Sequence, residues 1–297
     1  MKPALLFGLP GNEVLTKSLA ARLDAAEGGL AMRKFPDGET YLRFDADMRG
    51  KDVAIVCTLN DPDTKLVTLA LAAQGARQLG AAQVGLIAPY LAYMRQDACF
   101  RCGEAITSRA VATLLSTLFN WLVTVDPHLH RYHSLSDIYS IPAGVVHAAP
   151  AISAWIGTNI PKPFLIGPDE ESARWVAEAS RGLDAPYMTL KKHRQADRAV
   201  TLEPLDAALI GDRTPVLVDD IVASGETVIE AAKMLSAAGT RPPICVAVHG
   251  LFAAGADRRL MDMCAAVVTT NTVPGAATRI YLDDLIAEGV RALRDGR

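Results

Sequence analysis

Short apolar runs rich in β-branched residues alternate with helix-like segments along nearly the whole chain, and this alternation constrains the fold more than any other feature. The apolar runs are Leu5–Phe7, Val53–Cys57, Val84–Ala88, Leu122–Val125, Phe164–Ile166, Val216–Val218, Ile244–Val248 and Ala266–Thr269. Helical spacing marks Thr64–Leu79, Ile106–Leu118, Glu171–Ala179 and Thr227–Ala238. Continuous apolar runs suit strands covered on both faces, and strands separated by helices run parallel. The pattern therefore predicts an α/β fold. It occurs twice: one series ends near Asp126 and a second begins near Phe164, with a proline-rich, weakly periodic stretch from Pro127 to Pro163 between them. Two domains are expected, residues 1–145 and 146–297, each a mostly parallel sheet flanked by helices; a length of 297 residues suits two such units.

Composition excludes several classes. Thirty basic residues against thirty-three acidic ones leave a net charge of −3, so no broad nucleic-acid surface is expected. The most apolar stretch, Leu66 to Ala73, is far short of the ~20 residues that cross a bilayer, so no membrane partner is expected. The opening Met1-Lys2-Pro3 leads into too few apolar residues for a secretory signal. Five cysteines, an odd number, suit reduced thiols and a cytoplasmic location. Cys57 and Cys245 read as small buried hydrophobes. Cys99 and Cys102 have CxxC spacing but no second pair to complete a zinc site, and His128 and His130 lack a matching carboxylate or thiol.

In open α/β sheets, ligands bind beyond the carboxyl ends of the strands. The sharpest segment of that kind runs from Pro215 to Thr227: a buried strand, the paired acids Asp219 and Asp220, a Ser224-Gly225-Glu226-Thr227 turn, then an amphipathic helix. Free backbone N–H groups and the Ser224 and Thr227 hydroxyls converge there at a helix N-terminus, which is a phosphate cradle. Asp219 and Asp220 are placed for sugar hydroxyls or a nearby magnesium ion.

This segment resembles the phosphoribosyl-pyrophosphate loop shared by phosphoribosyltransferases and phosphoribosyl-pyrophosphate synthetases. Further segments resemble the synthetases in particular. Phe35-Pro36-Asp37-Gly38-Glu39 is similar to their adenine-binding motif, and Arg95-Gln96-Asp97 to their nucleotide segment. Val125-Asp126-Pro127-His128 resembles the motif whose histidine approaches ATP phosphates and magnesium. Gly167-Pro168-Asp169 resembles a turn whose aspartate serves the ribose phosphate and its metal. Lys191-Lys192-His193-Arg194 resembles the mobile catalytic loop, and Asn271-Thr272-Val273-Pro274 also follows the pattern. The matches keep the family's order from about residue 35 to residue 275, and Gly103-Glu104-Ala105-Ile106 resembles the archaeal-type forms of ribose-phosphate diphosphokinase.

The resemblance implies two phosphoribosyltransferase-like domains. It also implies transfer of the diphosphoryl group of ATP to C1 of ribose 5-phosphate, with Mg2+ as cofactor, in a homo-oligomer. By residue, it implies catalytic roles for Lys192, Arg194 and His128, ATP contacts from Phe35, Asp37, Glu39, Arg95, Gln96 and Asp97, and metal contacts from His128 and Asp169. Asp169, Asp219, Asp220, Ser224, Gly225 and Thr227 would hold ribose 5-phosphate. The chain departs from the family at Ala223 and Glu226, where a polar residue and a glycine are usual, and at Ala98 and Cys99, where basic residues are common. Glu226 suits the helix dipole but repels a phosphate that it faces. A catalytically silent relative and a phosphoribosyltransferase acting on a base are the alternatives.

Overall fold

A computed structural model of the chain describes residues 3–190, 192–195, 199–202 and 207–296. The described residues divide into two units, 1–147 with 283–297, and 148–282.

The first unit contains β1 (Leu5–Gly8), α1 (Glu13–Leu23), β2 (Ala26–Glu27), β3 (Gly29–Lys34), β4 (Thr40–Asp45), β5 (Asp52–Val56), α2 (Pro62–Gln78), β6 (Gln83–Ala88), α3 (Thr107–Leu118), β7 (Trp121–Val125) and β8 (Ala143–Val146). Its main sheet has the order β2-β1-β5-β6-β7-β8, and every pair is parallel. Helices cover both faces, so the central strands carry continuous buried runs such as Val53–Val56 and Leu122–Val123. β3 and β4 form a separate antiparallel hairpin.

The second unit contains α4 (Ala149–Asn159), β9 (Pro163–Gly167), α5 (Ala173–Leu183), β10 (Tyr187–Thr189), β11 (Lys192–Gln195), β12 (Ala199–Leu202), α6 (Ala207–Ile210), β13 (Thr214–Val222), α7 (Glu226–Ala237), β14 (Ile244–Gly250), α8 (Ala256–Met263), β15 (Ala266–Thr270) and β16 (Thr278–Ile280). The sheet order is β10-β9-β13-β14-β15-β16, again parallel throughout. Ile166, Leu217, Ala232, Leu235, Cys245 and Leu260 form one buried cluster between this sheet and α7 and α8. Each full-sized aliphatic side chain there contributes about 1.5–3 kcal/mol of burial. That cluster fixes where the N-terminus of α7 sits.

The weakly periodic stretch from Pro127 to Pro163 contains the division between the units, and it also holds β8 and α4, with Pro150 in the first turn of α4, where its missing N–H costs nothing. The C-terminal helix α9 (Asp283–Asp295), placed by sequence in the domain 146–297, belongs to the first unit. Its apolar face of Ile286, Ala287 and Val290 is buried. Arg22 donates to Asp284 at 2.6 Å, and Arg294 pairs with the nearly buried Asp52.

Candidate active site

The carboxyl end of β13 carries the paired acids. The apolar run ends at Val218, but ladder pairing with β14 continues through Asp219 opposite Ala247 to Val222 opposite Gly250. Asp219 and Asp220 are therefore held by a strand rather than by a loop. β9 runs alongside, with Leu165 beside Val216 and Ile166 beside Leu217, so the turn after β9 brings Asp169 toward the same place. Burial pushes the Asp219 carboxyl well above the usual carboxylate range, and the charges of Asp220 and Asp169 push it further. Asp219 Oδ1 accepts one stabilising hydrogen bond, from the Asp220 amide at 3.0 Å. Asp169 also closes its own turn, with Oδ1 accepting from the Ser172 amide at 3.2 Å.

After β13 the chain turns through Ala223, Ser224 and Gly225 into α7. Gly225 precedes the helix with φ 74°, a left-handed conformation that favours glycine. A Cβ there would also stand 3.2 Å from Leu260 Cδ1. The turn is anchored from the far side, since the Ala253 amide donates to Ala223 O at 2.9 Å and the Phe252 amide to Val222 O at 3.2 Å. Ser224 and Glu226 are exposed and Thr227 half-buried at the first turn of α7. Glu226, the departure from the family pattern, is not left bare. Arg259 from α8 donates to its Oε1 at 2.5 Å and to the Ser224 carbonyl at 2.7 Å.

The first unit has its own cluster beyond β7 and β8. Asp126 (φ 32°) and His128 (φ 52°) both lie in the left-handed region, where a non-glycine residue costs on the order of 1–3 kcal/mol. Backbone bonds hold the strained segment: Asp126 N to Val146 O at 3.0 Å and His128 N to Asp126 O at 2.9 Å. Asp126 Oδ1 also meets His147 Nδ1 at 3.0 Å. His128 stacks on His130 with ring centroids 6.2 Å apart. Strain of this kind clusters at functional sites.

Phe35, Asp37 and Glu39 form the exposed tip of the β3–β4 hairpin. Asp37 Oδ1 accepts from the Glu39 amide at 3.1 Å and Gly38 takes φ 91°. The Arg33 guanidinium lies 4.4 Å from the centre of the Phe35 ring and 4.5 Å from that of Tyr41. In the Arg95-Gln96-Asp97 segment, Arg95 is exposed, while Gln96 Oε1 accepts from Thr107 at 3.3 Å. The Asp97 side chain is only 1% exposed and accepts from Arg131 Nη1 at 2.7 Å. Asp97 is therefore an anchor for its segment, with Arg131 as partner. Arg131 in turn lies over the ring of Phe100 at 5.1 Å.

Lys192 and Arg194 occupy alternate positions of β11, opposite Leu202 and Val200 of β12; their side chains, and all of Lys191, lie outside the described residues. His128 and Asp169, the expected metal contacts, belong to different units. Among the described residues, no group of three or more His, Cys, Asp or Glu is arranged to hold a metal ion alone. The cysteines are free, with Cys57 and Cys245 buried and Cys99 and Cys102 exposed. Asn271 to Thr272 is scaffold: Thr270 and Thr272 both donate to Val248 O, at 2.7 and 3.0 Å, and Thr272 meets the buried His249 at 2.8 Å. Arg131 and Arg259 carry no local sequence signal, since their partners lie 34 and 33 residues away along the chain.

The order of the two units recurs in known proteins. The profile of the N-terminal domain of ribose phosphate pyrophosphokinase matches residues 4–118, and that of the phosphoribosyl transferase domain matches residues 134–284. A ribose-phosphate pyrophosphokinase of Sulfolobus acidocaldarius is 31% identical over 92% of this chain and 93% of its own length. One from Methanopyrus kandleri is 33% identical over 94% of this chain and 96% of its own. The crystal structure of phosphoribosylpyrophosphate synthetase from Mycobacterium smegmatis superposes with a TM-score of 0.85 at 25% identity, covering 100% of both chains. With both domains matched in order, the chain belongs to the ribose-phosphate pyrophosphokinase family.

Proposed function

We propose that the chain transfers the β,γ-diphosphoryl group of ATP to the C1 hydroxyl of ribose 5-phosphate, giving phosphoribosyl pyrophosphate and AMP. The observation that carries this reading is the end of β13. Asp219, Asp220 and Asp169 gather there, burial first and the neighbouring carboxylates second raising the Asp219 pKa, and the next turn opens onto a helix N-terminus capped by Gly225. Acids for sugar hydroxyls and amides for a phosphate stand together, as a phosphorylated pentose requires. The matched N-terminal domain favours the diphosphokinase over a transferase acting on a base.

In this reading Ser224, Gly225 and Thr227 hold the 5-phosphate, and Asp219 and Asp220 face the ribose hydroxyls with Asp169 beside them. Phe35 offers an apolar face to adenine, and Asp37 and Glu39 shape its polar edge. Arg95, on the segment anchored by Gln96 and Asp97, meets the ATP phosphates with His128. The ribose O1 forms a bond to the β-phosphorus as the bond between that phosphorus and the α,β-bridging oxygen breaks; that oxygen leaves with AMP, and the proton of the C1 hydroxyl passes to water. Lys192 and Arg194 are assigned to the charge on the migrating group, arginine as a planar fork and lysine as a point charge.

Asp219, Asp220 and Asp169 gathered at one strand end suit a hard divalent cation, and magnesium characteristically binds through one or two carboxylates plus substrate phosphates rather than in an all-protein cage. One or two of Asp169, Asp219 and Asp220 would contact magnesium beside the sugar together with substrate oxygens, and His128 is assigned to magnesium carried with the ATP phosphates, whose charge the cation would neutralise. A homo-oligomer is part of the proposal on resemblance alone, and action in the cytoplasm on the odd number of cysteines; among the described residues no helix is long and apolar enough to cross a membrane.

Ligand-dependent melting tests the reading. Mg·ATP and ribose 5-phosphate together should raise Tm, with each ligand at 100 times its Kd adding about 2.7 kcal/mol. A response to phosphoribosyl pyrophosphate with a nucleobase, and none to ribose 5-phosphate, would identify a transferase instead.

A further inference from the structure

We propose that Arg259 is a positioning residue for the ribose-phosphate loop: it neutralises Glu226 and fixes the Ser224 peptide, so that a carboxylate is tolerated beside a phosphate subsite. The inference rests on the assignment of residues 219–227 to ribose 5-phosphate.

Glu226 is the first residue of α7. In the free protein its charge is favourable there, because the helix N-terminus carries partial positive charge. A bound phosphate dianion uses the same field and the same amides. An uncompensated carboxylate at this position competes as a resident anion and repels the incoming one.

One guanidinium answers both problems. Nη1 takes the Glu226 carboxylate at 2.5 Å and Nη2 takes the Ser224 carbonyl at 2.7 Å, so Arg259 spans the residues on either side of Gly225. Lysine, a single point donor, does not reproduce that fork. The helix bearing Arg259 is not free to wander. Its Leu260 is fully buried and packs where Gly225 has no side chain, with Ala256 beside it. With Arg259 and Glu226 side chains 45% and 57% exposed, the ion pair adds little to stability. Its consequence falls on ligand affinity.

The test is a double-mutant cycle of wild type, Arg259→Ala, Glu226→Gly and the double variant, with Arg259→Lys as a fifth protein. The readouts are KM for ribose 5-phosphate, kcat, Tm and calorimetric binding of inorganic phosphate and pyrophosphate. Arg259→Ala should raise KM for ribose 5-phosphate about three- to fivefold, the size of one exposed charge interaction, with kcat within about twofold. Added salt should shrink the defect. Glu226→Gly should leave KM unchanged or lower, and the double variant should return to within about twofold of Glu226→Gly, since the repulsive charge is gone. Arg259→Lys should recover only part of the loss.

A KM unaffected by Arg259→Ala, or a double variant as impaired as Arg259→Ala, would overturn the proposal. Absence of AMP formation by the wild type would instead defeat the functional assignment. Phosphate and pyrophosphate binding would still compare the five proteins, and equal affinities across them would overturn the positioning role.

Discussion

Replacing Arg131 with alanine strips the cation from a carboxylate that has no access to water. The Asp97 side chain is 1% exposed, and Arg131 Nη1 lies 2.7 Å from Oδ1. Removing one partner of a fully buried pair costs about 3–5 kcal/mol, because the remaining charge is stranded. Arg131 is itself 46% exposed, so water can enter the vacated space, and a loss of about 2–3 kcal/mol is the better expectation. At roughly 2–4 °C per kcal/mol for a unit of this size, the transition of the first unit should fall by about 4–12 °C in scanning calorimetry. The Phe100 ring also loses the guanidinium stacked on it, and the Arg95-Gln96-Asp97 segment loses its anchor. KM for ATP should therefore rise on the order of tenfold, with KM for ribose 5-phosphate unchanged. Arg131→Ala combined with Asp97→Asn should recover at least half of the lost stability, because the stranded charge is gone. A Tm shift below about 1 °C, or a double variant less stable than the single one, would refute the reasoning.

Two other substitutions probe the sugar side. Burial and the charges of Asp220 and Asp169 raise the Asp219 pKa, so the folded chain holds that proton more tightly than the unfolded chain. The stability this proton confers is present at acid pH and is lost as pH rises through the folded pKa. Asp219→Asn should thus melt higher than wild type at neutral pH, by about 2–4 °C for a gain near 1 kcal/mol. The difference should close toward pH 4, while ribose 5-phosphate-dependent turnover is lost; a variant less stable than wild type at pH 7 would contradict the account. Gly225→Ala meets both the φ of 74° and Leu260 at 3.2 Å. It should cost about 1–2 kcal/mol in a denaturation series and raise KM for ribose 5-phosphate more than KM for ATP.

The parts of the fold legible in the sequence were those where one short segment carries the whole signal. The central strands announce themselves because parallel strands buried on both faces are uninterrupted apolar runs, as in Val53–Val56 and Val84–Ala88. The β3–β4 hairpin gave no such signal, because its strands alternate between exposed and half-buried positions. Helix α4 is apolar around much of its circumference, which hides the 3.6-residue period. Placement of α9 depends on Arg22–Asp284 and Arg294–Asp52, pairs 262 and 242 residues apart, which no local pattern encodes. Aspartate's low strand propensity made Asp219 and Asp220 look like loop residues, but β14 extends the ladder past them. The same division runs through the site. The strand, turn and helix start from Asp219 to Thr227 are contiguous and legible in the sequence, whereas Arg131 and Arg259 reach their partners only through tertiary packing.

The central claim is the reaction, and formation of AMP from ATP, ribose 5-phosphate and Mg2+ tests it most directly, with wild type compared against Lys192→Ala. The account predicts ribose 5-phosphate-dependent AMP release that collapses in Lys192→Ala, through kcat rather than through ATP affinity. Folded wild-type protein that forms no AMP across several nucleotides and divalent metals would contradict it.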